Sequence, residues 1–278
     1  MALPQPVIDA LCCPLCQQAL DAEGGSLRCA ARHAFDVARQ GYVNLLTGNA
    51  APDNSDTPEM LRAREAFLEA GHYAPLAELL TSPVPSEVGG LVLDAGAGTG
   101  YYLRAALDRL PGAVGVAVDV SKHAVRHAVR ANRRAGGVVC DLWRRLPVRA
   151  GKVSVLLNVF APRNGAEFRR VLRPDGVLLV LTPTAGHLAE IVRPLELLSV
   201  HEHKLARMDA ELDPHFERQE RFERSFPLEL TRDEVHALVG MGPASRHVDA
   251  ITLRQRIEHL DEPAQATASV TLSVYHPR

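Results

Sequence analysis

The sequence predicts an α/β fold in which strands and helices alternate from about residue 90 onward. Short apolar runs bounded by turn residues predict strands at residues 91–95, 114–119, 138–141, 153–159 and 176–182. Helical stretches are expected between them, near residues 100–110, 122–134 and 164–172. Such alternation implies parallel strands joined by right-handed crossovers, as in a Rossmann-like sheet. Ligands of these sheets bind at the carboxyl ends of the strands.

Four residues near the N-terminus have the spacing of a metal site. Cys13, Cys16, Cys29 and His33 form a C-x2-C-x12-C-x3-H pattern, which can supply four tetrahedral ligands to a structural zinc ion. This spacing predicts a zinc-binding module over residues 1–48. Cys12 could replace Cys13 through a C-x3-C knuckle, and the cysteines could instead form disulfides or remain simple buried thiols.

The segment that follows is expected to connect this module to the α/β domain. Residues 48–58 are rich in Gly, Asn, Asp, Ser and Pro, which is typical of a linker. Residues 59–80 look helical, with a break at Gly71-His72-Tyr73. Residues 49–85 are thus assigned as a linker and helical segment, and residues 86–278 as the α/β domain. Residues 267–275 alternate in polarity and predict a late strand that runs opposite to the others.

Composition and charge limit the functions that fit. The chain has 278 residues, a net charge of −2 and no apolar run near the ~20 residues of a membrane span. An odd number of cysteines, five, and the lack of a secretory segment favour a cytoplasmic protein that does not contact a membrane. Residues 120–175 hold 13 Lys/Arg and 3 Asp/Glu. Lys122, Arg126, Arg130 and Arg134, at steps of four, predict a basic stripe whose default interpretation is a solvated helix face.

A glycine loop follows the first strand of the α/β domain. The segment Asp94-Ala-Gly96-Ala-Gly98-Thr99-Gly100 lets the backbone approach a ligand closely at the start of a helix. Asp119 ends the next strand, where a carboxylate could accept both hydroxyls of a ribose. Together these features predict an S-adenosylmethionine (SAM) site in a class I, Rossmann-like methyltransferase, although the loop alone could be an ordinary tight turn.

These motifs together resemble the 23S rRNA (guanine-N1)-methyltransferases of the RlmA group, and most of all their macrolide-resistance (tylosin-resistance, TlrB-type) branch. The zinc module joined to Gly41-Tyr-Val-Asn-Leu-Leu46 is the most specific part of the resemblance. The other matching segments begin at Arg64, Asp94, Asp119, Asn158 and Thr182. They extend from residue 12 to about residue 190, with a weaker match beyond.

The resemblance implies particular site residues. It implies zinc at Cys13, Cys16, Cys29 and His33, and SAM contacts from Tyr73, Gly98, Thr99 and His187. It also implies that the zinc module, residues 1–48, recognises RNA. General methyltransferase logic adds Asp119 for the ribose and Asp141 near the adenine. The remaining residues expected at the site come from the strand ends and the glycine loop: Asp94, Gly96, Gly100 and Asn158.

The expected reaction is methyl transfer to N1 of a guanine in a 23S rRNA hairpin, which we expect in domain II beside the peptide exit tunnel. N1 is hidden in a paired duplex, so the base must lie in a loop or be flipped out. Phe160, Tyr101 or Tyr102 could stack on it. No general base is assigned, because Asp94 and Asp141 are candidates only by location. Related enzymes suggest a homodimer and macrolide resistance.

Two other functions fit parts of the sequence. A methyltransferase of small molecules would need the α/β domain and no zinc module. A non-catalytic, zinc-bearing RNA-binding protein would not need the glycine loop or Asp119 to be intact. SAM titration and methyl transfer to total RNA distinguish these alternatives.

Overall fold

The structure is a computed structural model that describes residues 3–48, 56–197, 204–242 and 249–278. Most of the predicted linker, residues 49–55, lies outside the described residues. Within the described chain, no helix combines the length and apolar character needed to cross a membrane.

The described strands form one continuous sheet. The strands are β1 (Asp21–Glu23), β2 (Ser26–Arg28), β3 (Ala34–Ala38), β4 (Tyr42–Asn44), β5 (Gly90–Ala95), β6 (Ala113–Asp119), β7 (Ala135–Val139), β8 (Val153–Val159), β9 (Leu172–Pro183), β10 (Phe216–Leu230) and β11 (Ala264–Pro277). Their order across the sheet is β1-β2-β3-β4-β7-β6-β5-β8-β9-β11-β10. Strands β5 to β9 are parallel, whereas β11 and β10 are antiparallel to their neighbours. The predicted parallel core and its reversed late strand are therefore present.

Helices cover both faces of this sheet. They are α1 (Gln5–Ala10), α2 (Pro58–Glu69), α3 (Ala74–Thr81), α4 (Tyr101–Arg109), α5 (Lys122–Ala131), α6 (Gly165–Val171), α7 (Ala189–Val192), α8 (Lys204–Leu212), α9 (Arg232–Gly240) and α10 (Ala250–Glu258). The break predicted at Gly71-His72-Tyr73 separates α2 from α3. Helix α2 begins where the Thr57 hydroxyl accepts from the Met60 N–H at 3.2 Å, with Pro58 in its first turn.

The N-terminal strands extend the main sheet. Strand β4 pairs in parallel with β7, with Val43 opposite Val138. Leu11, Leu27 and Val43 belong to the same buried core as Val116. The fold of the zinc module is therefore tied to the strand that leads into the Asp141 loop.

The basic stripe is shorter than predicted. Helix α5 ends at Ala131, so Arg134 lies beyond it. The Arg134 guanidinium donates to the carbonyl oxygens of Leu107, Leu110 (2.9 Å) and Ala113 (3.0 Å), which caps the end of α4. The helical spacing suggested an outward Arg134 because the sequence did not show where α5 stops. Lys122, Arg126 and Arg130 remain exposed on α5.

Candidate active site and metal centre

A cavity of about 670 Å³ opens at the carboxyl ends of the central parallel strands. Seven of the ten residues predicted for the cofactor line it: Tyr73, Gly96, Gly98, Thr99, Asp119, Asp141 and His187. The other three, Asp94, Gly100 and Asn158, lie outside its lining. The volume is in the range of ligand pockets, which are usually a few hundred to about 1,000 Å³.

The glycine loop forms the floor of the cavity. Gly96, Gly98 and Gly100 all have positive φ, at 86°, 51° and 79°, which favours glycine. A Cβ on Gly98 would lie 3.0 Å from the Arg64 Nη1. A Cβ on Gly100 would lie 2.6 Å from the Ala128 backbone, so this glycine allows α4 and α5 to pack closely. Gly100 therefore affects the loop through helix packing and does not line the cavity.

Asp119 connects the glycine loop to the next strand. Its carboxylate accepts the N–H of Gly98 at 3.0 Å and that of Ser121 at 2.9 Å. Burial raises the pKa of Asp119, while these two hydrogen bonds oppose the rise. The carboxylate therefore fixes the loop and also lines the cavity.

Tyr73 and His187 form a polar pair on another wall. The Ser269 N–H donates to His187 Nδ1 at 3.0 Å, so in the neutral ring Nε2 carries the proton. His187 Nε2 then donates to the Tyr73 hydroxyl oxygen, 3.1 Å away. This arrangement leaves the tyrosine O–H free to donate elsewhere.

Phe160 lies beside this pair, with ring centroids 6.4 Å from Tyr73 and 5.9 Å from His187. Its φ is +52°, which is uncommon for an aromatic residue, and its side chain is 40% exposed. Tyr101 and Tyr102 are only half-buried, and their rings pack edge-on against each other with centroids 5.2 Å apart. Of the three aromatic residues proposed to stack on a base, Phe160 is the most accessible.

Asp94 and Asn158 support the cavity from beneath. The Asn158 amide donates to the carbonyls of Ala95 (3.3 Å) and Pro162 (2.8 Å), and it thereby ties β5 to the loop after β8. Asp94 is 1% exposed, and neither carboxylate oxygen has a hydrogen-bond partner within 3.5 Å in the described chain. Burial and the charge of Asp119 raise the pKa of Asp94 to about 7, and the Leu103 backbone offsets this rise only in part.

This buried carboxyl predicts a pH-dependent stability in the zinc-loaded, cofactor-free protein. Its folded pKa lies above its unfolded value of 3.8, so its contribution is full at low pH and is lost as pH rises through 7. Between pH 5 and 8, the free energy of unfolding of the wild type should fall by about 2–3 kcal/mol relative to that of Asp94→Asn. Urea unfolding at the two pH values measures this difference. Asp108→Asn, which changes an exposed carboxylate on α4, should follow the wild type; parallel pH profiles for Asp94→Asn and wild type would refute the assignment.

One group of contacts beside the cavity was not predicted from the sequence. Arg64 on α2 bonds to the Asp56 carboxylate and donates to the Met241 carbonyl at 2.8 Å, just after α9. Arg64, Asp56 and Met241 all line the cavity. His72 adds a 2.8 Å contact to Glu234 on α9. The Arg64–Met241 and His72–Glu234 contacts join α2 and the turn after it to α9 and the residue after it, beside the glycine loop. Within the sequence, only the resemblance of the segment beginning at Arg64 pointed to this region.

The residues present fit SAM. The positive-φ glycines give a cradle without side chains, Asp119 offers carboxylate oxygens, and the Tyr102 hydroxyl is buried at the wall without a partner in the described chain. Such acceptors match the ammonium and ribose hydroxyls of this cofactor.

The four predicted zinc ligands meet at one point. The Sγ or Nδ1 atoms of Cys13, Cys16, Cys29 and His33 lie within 4.8 Å of one another. Individual separations are 3.4 Å for Cys29–His33, 3.5 Å for Cys13–His33 and 3.6 Å for Cys16–Cys29. A tetrahedral zinc site places its ligand atoms about 3.5–3.8 Å apart, so the group fits the ion.

The local chemistry also favours metal binding. Burial raises the pKa of Cys29, but hydrogen bonds from Cys16, the His33 backbone and Cys13 outweigh it, and the pKa falls to about 7. Cys12 lies outside the cluster, with its Sγ 3.7 Å from the Gln17 Oε1. All five cysteines are free of disulfides. Cys13, rather than Cys12, therefore completes the predicted knuckle, and the buried Cys140 lies apart from it.

Solved structures confirm the fold. The YcgJ protein of Bacillus subtilis superposes with a TM-score of 0.55 at 18% identity, covering 74% of this chain and 99% of that one. A Bacillus halodurans protein provisionally described as a methyltransferase gives a TM-score of 0.50 at 14% identity, covering 74% and 98% of the two chains.

Family models and relatives match both parts of the chain. The zinc ribbon of the RlmA N-terminal family matches residues 11–50, and a methyltransferase domain matches residues 92–176. A 23S rRNA (guanine(748)-N(1))-methyltransferase of Streptomyces fradiae is 46% identical, covering 98% of both chains. A Micromonospora griseorubida protein provisionally named a 23S rRNA (guanine-N(1))-methyltransferase is 52% identical, covering 95% of this chain and 96% of its own. The chain therefore belongs to the SAM-dependent 23S rRNA (guanine-N1)-methyltransferases that carry an N-terminal zinc ribbon.

Proposed function

We propose that this enzyme methylates N1 of one guanine in a hairpin of 23S rRNA domain II, the guanine that corresponds to position 748 in the name of the Streptomyces fradiae relative. The observation that carries this proposal is the 46% identity to that relative along 98% of both chains. The reaction would take place in the cytoplasm, where ribosomal RNA is found.

Different residues of the cavity would bind the cofactor and the target base. SAM supplies an already activated methyl group, so the protein mainly contributes position. Asp119 would accept the ribose hydroxyls, and Asp141 would lie at the adenine. Gly96, Gly98 and Thr99 would contact the amino-acid part of the cofactor through the backbone.

The target guanine would enter beside the segment that joins β8 to α6. Phe160 would stack on the flipped base, and Tyr73 would donate its free O–H to a cofactor or base acceptor. The Asn158 amide is already used by two carbonyls, so it would hold this segment in shape. Losing the N1 proton requires an acceptor, and solvent at the cavity mouth can serve.

A methyl group at N1 would also explain a resistance role. It removes a hydrogen-bond donor from the Watson–Crick edge of guanine and adds bulk. In the wall of the peptide exit tunnel, this change would exclude a macrolide with a long sugar arm. The homodimer suggested by related enzymes stays a prediction, and so does the division of the chain into three segments.

The exposed arginines of α5 give a prediction about RNA binding. Arg126→Glu with Arg130→Glu should weaken hairpin binding and leave SAM affinity unchanged, because both side chains lie on the outer face of α5. The slope of log affinity against log salt should shrink by about 1.5 if two phosphate contacts are lost. Filter binding over a salt series measures both effects. The matched control replaces Arg224 and Arg254, which are exposed on β10 and α10, by glutamate. If both double variants lose the same hairpin affinity, the α5 stripe is a solvated helix face that does not contact RNA.

A direct assay tests the proposed reaction. Zinc-loaded enzyme is incubated with labelled SAM and a domain II hairpin transcript, and the digested nucleosides are identified. We expect label in 1-methylguanosine, at a single position. A transcript with adenine at the target position is the control and should stay unlabelled. Label on another base, or only in small molecules from a cell extract, would overturn the proposal.

A further inference from the structure

Trp143 is the only tryptophan of the chain, and 69% of it is exposed. It lies in the loop that joins β7 to β8, and it lines the mouth of the cavity. An indole contributes most when it is buried, so packing does not explain a tryptophan left in water at this place. The residue was not among the site residues predicted from the sequence.

The loop holds Trp143 in a fixed position. The backbone N–H of Trp143 donates to the Asp141 Oδ1 at 2.9 Å. The Asn164 amide donates to the carbonyls on either side, at 3.2 Å to Leu142 and 3.4 Å to Arg144. Because the backbone is fixed on both sides, an aromatic ligand can bind the indole without the entropic cost of ordering the loop.

The charges next to the indole favour an anionic ligand. Arg144 and Arg145 follow directly and both are exposed, although the Nε of Arg144 also lies 3.5 Å from the Asp141 carboxylate. An exposed aromatic ring beside basic side chains is the combination with which proteins hold unpaired nucleotides: the ring stacks on a base and the cations meet the phosphates. The charge complementarity therefore points to RNA.

The position of Trp143 at the mouth argues against the adenine of SAM as its partner. Asp141 and Leu142 also line the cavity, and Leu142 is 6% exposed. A cofactor buried by the cavity would contact these deeper residues, whereas the outward indole stays available to a second ligand. Phe160, with its contacts to Tyr73 and His187, is already assigned to the target guanine.

We infer that Trp143 is a positioning residue that stacks on an unpaired RNA base next to the target guanine, with the neighbouring phosphates held by Arg144 and Arg145. This inference rests on the proposed function. It assigns the β7–β8 loop to recognition of the nucleotides that flank the target.

The lone tryptophan makes a direct test possible. The zinc-loaded protein is saturated with S-adenosylhomocysteine and titrated with the hairpin transcript while indole emission is recorded. We expect emission to fall on RNA addition and to change little on addition of the cofactor product alone. Emission that responds to the cofactor and not to RNA would overturn the inference.

Substitution supplies the second arm. Trp143→Ala should weaken hairpin binding about 5- to 150-fold, the range for one stacked base, whereas Trp143→Phe should restore most of it and calorimetry should show unchanged SAM affinity. Ile251→Ala, equally exposed at 69% on α10, is the control and should bind as wild type. If the wild type methylates the hairpin and Trp143→Ala binds the hairpin as tightly as the wild type does, only this inference is overturned. A wild type that neither binds nor methylates the hairpin overturns the proposed function as well.

Discussion

Replacing Cys29 by serine should release the zinc ion, unfold the ribbon and abolish methylation of the rRNA. Structural zinc sites contribute about 10 kcal/mol or more of folding free energy, and so small a module has little core to replace it. Strand β4 pairs with β7, so the damage should also lower the thermal stability of the methyltransferase domain. Metal analysis, calorimetric melting and the hairpin assay measure the three effects.

The neighbouring cysteine offers a matched control. Cys12 is buried beside the site but lies outside the ligand cluster. Cys12→Ser should therefore keep one zinc per chain and most of the activity. A protein that loses its zinc through Cys12→Ser and keeps it in Cys29→Ser would contradict the assigned ligands.

Asp119→Ala should weaken SAM binding by about 1–3 kcal/mol, which is the range for losing a charged hydrogen-bond partner. The substitution removes the carboxylate that would contact the ribose. It also leaves the N–H groups of Gly98 and Ser121 without the acceptor that they now share. Calorimetric titration of the zinc-loaded protein with SAM gives the affinity directly.

Asp119→Asn keeps one acceptor oxygen, so its SAM affinity should fall between wild type and Asp119→Ala. RNA binding should change little in either variant, because Asp119 lies inside the cavity. If calorimetry gives wild-type SAM affinity for Asp119→Ala, the residue does not contact the cofactor.

The parallel strands could be predicted because each is a short apolar run between turns. Strand β10 could not, since ten of its fifteen residues are exposed and many are charged, which leaves no regular alternation to detect. The parallel pairing of β4 with β7 joins residues 95 positions apart, such as Val43 and Val138, and local patterns carry no signal for such a contact.

The candidate site was predictable only in part, for a related reason. The glycine loop and Asp119 have fixed spacing, but spacing does not tell which side chains face the ligand. Asp94 and Gly100 belong to the same motif, yet one is buried beneath the loop and the other packs against Ala128. The Arg64–Met241 contact joins residues far apart in the sequence and depends on tertiary packing. Trp143 did leave a signal, a lone tryptophan before two arginines shortly after a strand.

Mass mapping of methylated guanosines in 23S rRNA tests the central claim most directly. RNA is compared from cells that carry the gene, cells that lack it and cells that carry the Asp119→Ala variant. We predict full conversion to 1-methylguanosine at the position corresponding to guanine 748 only in the first, reduced methylation in the variant and none without the gene. Identical maps in the presence and absence of the gene, or a gene-dependent methyl group on a different base, would contradict the account.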